Sequence, residues 1–108
     1  MEDGDEAVFI YSAWPLHELA ETAGAELVEA RLAAAVNIIA GMRSIYRWQG
    51  AVERAEETLM IIKTRRGRID DVIAAIRRRH PYEEPGIAVV SLAGGSASYL
   101  EWIRLEST

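Results

Sequence analysis

The chain has 108 residues and a net charge of −5, half of its residues are hydrophobic, and it contains no cysteine. This length and apolar content predict a single domain over residues 1–108 with a substantial core. The absence of cysteine excludes a disulfide framework, a thiolate metal site and a cysteine nucleophile, so any metal would need nitrogen and oxygen ligands.

The distribution of charged and apolar residues disfavours two classes of partner. Eleven arginines and Lys63 are spread along an acidic chain, which argues against broad binding to a nucleic-acid backbone. No apolar run approaches the roughly 18 residues that span a bilayer, and the opening "MEDGDEAV" is acidic where a signal peptide would be basic. We therefore expect a cytoplasmic protein without a nucleic-acid or membrane partner.

The first third of the chain predicts a strand followed by a helix. "AVFIYSA" (7–13) is a short apolar run rich in β-branched and aromatic residues, which indicates a buried strand. Pro15 suits a first helical position. From there apolar residues recur at three- and four-residue spacing as far as Ala34, with glutamates between them, which predicts an amphipathic helix.

Residues 35–48 and 51–64 predict two long extended strands around a Gln49–Gly50 turn. Each strand is far longer than the usual five or six residues, so the tip of this hairpin must project beyond a core of this size. An exposed Trp48 beside unpaired strand edges is unfavourable in water. We therefore expect the hairpin to pair with other copies of the chain in a closed ring.

A second helix and a fourth strand follow the hairpin. Apolar residues from Ile69 onward recur at i, i+3, i+4 and i+7, and this helix must end before Pro81 because a residue that precedes proline disfavours helical conformation. Residues 86–93, "GIAVVSLA", predict the fourth strand.

The last predicted element is a short helix over residues 97–105, capped by Ser96, whose Tyr99 and Trp102, with Ile103 close by, fold back onto the sheet. The full order is then β-α-β-β-α-β-α. This order predicts an α+β fold of the ferredoxin-like split βαβ type, with one antiparallel sheet and two crossover helices on one face.

Five short motifs stand in an order and spacing that point to a known family: "LVEARLAAAVNIIAG", "SIYRWQG", "IIKTRR", "HPYEEP" and "YLEWI". Together they resemble the CutA family of divalent-cation tolerance proteins, from about Val8 to Arg104. The resemblance implies a homotrimer similar in architecture to the nitrogen-regulatory PII proteins. It also implies an association with divalent metals, copper especially, and a contribution to metal tolerance.

The sequence departs from that family's pattern at three positions. Members commonly have a cysteine after the first helix where this chain has Ala35, and the first-strand cysteine proposed as a metal ligand in some bacterial relatives falls on Tyr11. The glutamate usual after the "HPYxxP" motif is Gly86. Of that proposed ligand set only His80 remains.

His80 is the leading candidate for a metal ligand, because a neutral imidazole suits borderline metal ions. Glu83 or Glu84 could add oxygen ligands across the proline turn. The same histidine could instead hold the turn by hydrogen bonding. The sequence leaves both roles open, and ligands from neighbouring subunits would be needed for tight binding.

Two other groups carry weaker metal signals. His17 and Glu21 have an i, i+4 spacing that can chelate a metal on one helix face, although exposed pairs of this kind are common. Glutamates of the hairpin could form a metal-attracting patch, or could serve only to prevent aggregation at a strand edge; they are Glu53, Glu56 and Glu57.

Two arginine clusters flank the second helix. Guanidinium groups suit phosphate or carboxylate, whereas arginines in a last helical turn also complement the helix dipole. The clusters are Arg65, Arg66 and Arg68 before the helix and Arg77 to Arg79 at its end. Five aromatic residues are predicted to lie in the core or an interface: Tyr46, Trp48, Tyr82, Tyr99 and Trp102.

No G-x-S-x-G, H-E-x-x-H or other catalytic constellation is present, so we do not expect an enzyme. The first functional interpretation is a trimeric metal-responsive protein that binds divalent cations. The second is a PII-like signalling or scaffold module that binds a small anionic ligand or a protein partner at subunit clefts.

Overall fold

The computed structural model describes residues 6–108, which form strands and helices in the order that the sequence predicts. They are β1 (Ala7–Trp14), α1 (His17–Glu29), β2 (Ala35–Trp48), β3 (Ala51–Arg65), α2 (Ile69–Arg79), β4 (Ile87–Ser91) and α3 (Ala97–Glu106). The four strands of this range form one antiparallel sheet in the order β2-β3-β1-β4. The predicted mixed α+β fold is confirmed.

The two faces of the sheet bury different residues, because consecutive side chains along a strand point to opposite sides. On one face, Ile10, Met60 and Ile62 pack against α1 and α2 and form the main core. On the opposite face, Ile103 of α3 packs near Phe9 in a smaller cluster. The two crossover helices, α1 and α2, share one face of the sheet, as predicted. α3 covers one end of the opposite face. We call the side that bears Phe9 the outer face.

α1 and β4 are shorter than the sequence predicts. The helix ends at Glu29 rather than at Ala34, because Arg31 adopts a left-handed conformation with φ of 61° that reverses the chain. Ala34 then donates its backbone N–H to the carbonyl of Lys63 at 2.8 Å, which begins the pairing of β2 with β3. At the other end of the helix, Pro15 precedes the N-cap instead of occupying the first helical position.

Gly24 allows α1 to approach β2 closely. A Cβ atom at this position would lie 3.0 Å from the Cγ1 atom of Val36 and 3.3 Å from the Cδ1 atom of Ile38. These distances are shorter than ordinary van der Waals contact, so with a larger residue here the side chains of Val36 and Ile38 would have to shift by a few tenths of an ångström. The glycine costs some helix propensity but permits the packing.

β2 and β3 extend beyond the rest of the sheet as a two-stranded hairpin ribbon, residues 40–57. β1 pairs with β3 only along the strand's second half, from Thr58 onward, whereas β2 pairs with β3 as far as Trp48. At the tip, Gln49 and Gly50 have φ of 50° and 84°, the positive values that a tight two-residue hairpin turn requires. The predicted long hairpin is confirmed.

α3 begins at the predicted cap, where the Ser96 hydroxyl accepts a hydrogen bond from the backbone N–H of Tyr99 at 3.4 Å. Its buried anchor is Ile103. Tyr99 and Trp102 stack on each other, 6.1 Å between ring centroids, and both remain more than a third exposed. Of the residues predicted to fold back, Ile103 packs against the sheet and the Tyr99 ring centroid lies 5.5 Å from the Nζ atom of Lys63 on β3, whereas Trp102 stacks on Tyr99. None of the helices in residues 6–108 has the length and apolar character to span a bilayer.

Candidate functional site

The turn that follows α2 is held against β1 by His80. This residue is the C-cap of the helix, where its backbone N–H bonds to the carbonyl of Ile76, and its side chain is buried. The ring nitrogen Nε2 lies 2.7 Å from the carbonyl oxygen of Ala13, and Nδ1 accepts a hydrogen bond from the N–H of Tyr82 at 3.2 Å. His80 therefore joins two segments that are far apart in the sequence.

These two hydrogen bonds fix the tautomer of the imidazole. Nδ1 can accept from an N–H only if it carries no proton, so the ring proton lies on Nε2 and is donated to Ala13. The ring also contacts Trp14, at 4.4 Å between centroids, and Tyr82, at 4.8 Å. Neither nitrogen has a lone pair free for a metal ion unless one of the hydrogen bonds breaks.

Glu83 and Glu84 are exposed residues of the same turn, whereas the His80 imidazole is buried. The carboxylate of Glu84 is 3.7 Å from a guanidinium nitrogen of Arg77, whereas Glu83 has no ion-pair or hydrogen-bond partner in the described part of the chain. No three histidine or carboxylate side chains within residues 6–108 are grouped to hold a metal ion. The three predicted ligands of one chain thus share a turn but do not form a ready coordination site.

Of the two weaker metal candidates, the pair on α1 comes together and the glutamates of the hairpin do not. His17 and Glu21 meet as their spacing predicts, with Nε2 3.2 Å from Oε1, and both are exposed. The hairpin glutamates do not form one patch, because Glu56 faces the side of the strand opposite to Glu53 and Glu57. Only the first of these two predicted groupings exists on a single chain.

Glu57 and Tyr82 form a contact that no sequence pattern indicates. The carboxylate of Glu57 is almost fully buried at the base of the hairpin ribbon and accepts a hydrogen bond from the Tyr82 hydroxyl at 3.2 Å. Burial, and then the negative charge of Glu57, raise the pKa of the Tyr82 phenol above 10.0. The contact ties the turn after α2 to β3, so the turn is fixed to two different strands.

We expect Glu57→Gln to lower the pKa of Tyr82 toward 10.0, because the neutral amide removes the negative charge beside the phenol. The raised pKa means that the neutral phenol stabilises the fold. This contribution is complete below pH 10.0 and is lost as the pH rises through the folded-state pKa. Ultraviolet titration of tyrosinate, with Tyr82→Phe to identify the signal, measures the shift. Glu56→Gln is the control, and an equal shift in that variant would contradict the contact.

Comparison with known proteins identifies the family. The pattern of the family described as CutA1 divalent ion tolerance protein matches residues 8–106. The divalent-cation tolerance protein CutA of Thermus thermophilus is 42% identical over 90 residues, which are 83% of this chain and 87% of that protein. The chloroplastic protein CutA of Arabidopsis thaliana is 34% identical over 91% of this chain and 54% of its own length.

Solved structures agree with the sequence match. The Cut A1 protein of Thermus thermophilus superimposes with a TM-score of 0.89 at 38% identity, covering 93% of this chain and 97% of that one. CutA from Xylella fastidiosa gives a TM-score of 0.91 at 35% identity, covering 95% and 99%. The chain belongs to the CutA1 family of divalent ion tolerance proteins.

The three departures from the CutA pattern lie near the candidate site or on the outer face. Tyr11 is partly exposed on the outer face of β1, and Ala35 begins β2 opposite Lys63. Gly86 has its carbonyl 3.4 Å from the N–H of Ala13, and no atom lies within 4 Å of where its Cβ would be. The Cβ atom of a larger residue at position 86 would therefore meet no clash.

The arginines around α2 make contacts within the chain. Arg65 and Arg68 both donate from Nε to the carbonyl of Ser107, at 3.1 and 3.2 Å, and so hold the end of α3. Arg79 pairs with Glu26 of α1 at 2.7 Å. These contacts favour the structural interpretation of the two clusters over the anion-binding one.

Proposed function

We propose that this CutA1 protein is a homotrimer of PII-like architecture that binds divalent cations, copper among them, at ligands its subunits supply together. Family membership supports the link to divalent cations. The observation that carries the proposal is the exposed pair Glu83 and Glu84, of which Glu83 has no partner in the described chain. One chain groups no three such ligands within residues 6–108, and in this proposal a second subunit completes the site.

The hairpin ribbon supports the homotrimer. Beyond the sheet, both of its faces carry large exposed apolar side chains: Ile45 and Val52 on one, Tyr46 and Trp48 on the other. A ribbon with a single apolar face could fold over its own domain, but one with two such faces needs cover on both sides. Neighbouring copies of the chain would supply that cover.

In this proposal His80 positions the turn, and Glu83 and Glu84 face the cation. Carboxylate oxygens alone favour hard cations such as Mn²⁺, and imidazole nitrogen favours copper. His80 enters the ligand set only by releasing Ala13 or Tyr82. The proposed role is binding rather than catalysis, since the sequence carries no catalytic motif.

The test is equilibrium dialysis of the chelator-treated protein against Cu²⁺ and Mn²⁺. We expect saturable binding with a fixed number of ions per trimer, and a loss of about tenfold or more in affinity in Glu83→Gln/Glu84→Gln, because two ligand charges are removed. Gly86→Glu adds a carboxylate beside the turn and should increase the affinity.

His17→Gln is the matched control, since it removes the exposed imidazole of α1 and leaves the turn intact. A loss of binding in His17→Gln alone would move the site to the first helix and overturn the role of the turn. Binding without saturation, or equal binding in all variants, would overturn the proposal as a whole.

A second candidate function is the binding of a small anionic ligand. It is favoured by one observation: the ammonium group of Lys63 lies on the outer face beside two aromatic rings.

A further inference from the structure

Lys63 occupies an unusual place for the only lysine of the protein. It lies on β3, an inner strand of the sheet, on the outer face and directly across from Phe9 and Ala35. Its Nζ atom is 5.7 Å from the centroid of the Phe9 ring and 5.5 Å from that of Tyr99. A lysine on a partly buried apolar surface must lose part of its hydration.

The Lys63 ammonium has no acceptor in the part of the chain that the structure describes. It forms no ion pair or hydrogen bond there, so its three N–H donors are available. The two rings attract the cation only weakly and accept no strong hydrogen bond. Asn37 lies one diagonal step away on the same face, and its side-chain amide is also without a partner in this range.

The chemistry of this surface selects a ligand class. One ammonium and one neutral amide match a single negative charge, whereas a phosphate dianion would bring more charge than they can pair. The surrounding surface is apolar and aromatic, with Phe9, Tyr11 and Tyr99 near the donors. An apolar body attached to the carboxylate would be desolvated favourably there.

We propose that Lys63 and Asn37, with the Phe9 and Tyr99 rings, form a binding site for a small organic carboxylate that carries an aromatic or apolar group. The ammonium and amide hold the carboxylate, and the rings contact the body of the ligand. This inference rests on the second candidate function and not on cation binding. Its test uses protein in excess chelator, where no divalent cation is bound. A failure of this test would therefore be distinct from a failure of cation binding.

The experiment is a calorimetric titration with four probes at constant ionic strength: benzoate, acetate, benzamide and inorganic phosphate. We expect benzoate to bind about tenfold or more tightly than each of the other three, because only benzoate combines one negative charge with a ring.

Lys63→Met removes the ammonium but keeps a side chain of similar length. It should weaken benzoate binding about tenfold or more, as expected for the loss of a charge-assisted hydrogen bond. Asn37→Ala should weaken it by a smaller factor.

Arg78→Met is the matched control, because it removes one exposed positive charge from α2, remote from the outer face. Benzoate affinity should be unchanged in this variant. Equal affinity in Lys63→Met and wild type, or absence of benzoate binding, overturns the site, and equal binding of acetate or phosphate overturns the ligand class. A change of molecular mass in Lys63→Met, measured by light scattering, would place Lys63 in a contact between copies of the chain, and that too overturns the proposal.

Discussion

Replacing Trp14 by alanine should lower the free energy of unfolding by about 3 to 5 kcal/mol. The indole is completely buried at the end of β1, where it forms part of the main core. Its Nε1–H donates to the Ser12 hydroxyl at 2.8 Å, and its ring contacts His80. Alanine would leave a cavity, an unpaired hydroxyl and an imidazole without its neighbour. Denaturant unfolding at one fixed protein concentration measures the loss, since assembly would make the stability concentration-dependent.

Trp14→Phe separates the contributions of the ring and the hydrogen bond. Phenylalanine keeps an aromatic contact with His80 and loses the bond to Ser12, so the loss should be smaller, about 1 to 3 kcal/mol. Hydrogen exchange at the Tyr82 amide adds a local measurement, because that N–H bonds to the imidazole that Trp14 supports. An alanine variant within about 1 kcal/mol of wild type would contradict the packing described for this turn.

The elements of the fold could be predicted because their signals are local. The apolar spacing of α2, the proline after it and the Ser96 cap each act over a few residues, and each prediction is confirmed. The end of α1 could not be predicted, because alanines continue the helical period to Ala34 while the chain leaves the helix through left-handed Arg31. Periodicity does not distinguish a helical alanine from an alanine buried in the loop that follows.

The candidate site was only partly predictable, because its decisive contacts are distant in sequence. The sequence indicates His80 and its turn, but the hydrogen bond from Nε2 to Ala13 depends on how α2 lies against β1. Glu57 illustrates the same limit. Its contact with Tyr82 depends on which side of β3 it faces, and the bulge in β2 between Ile39 and Met42 changes which residues of the hairpin share a face.

Placing two charges on the hairpin ribbon should dissociate the proposed trimer. Trp48 and Val52 are each about half exposed, at 52% of their surface, and they lie on opposite faces near the tip. In Trp48→Glu/Val52→Glu both faces would bring a carboxylate into an apolar contact, and burying an unpaired charge costs several kcal/mol. We expect light scattering to give about three times 12.0 kDa for wild type and 12.0 kDa for the double variant.

Leu16→Glu provides the control, because Leu16 is 58% exposed but lies at the start of α1, away from the ribbon. It makes the same kind of change, apolar to acidic, at a site that the proposal leaves in solvent, so its mass should equal that of wild type. Circular dichroism should show the same secondary structure in all three proteins, because residues 40–57 lie outside the main core. A folded wild-type monomer of 12.0 kDa would contradict the homotrimer, and with it the shared cation site that needs ligands from more than one subunit.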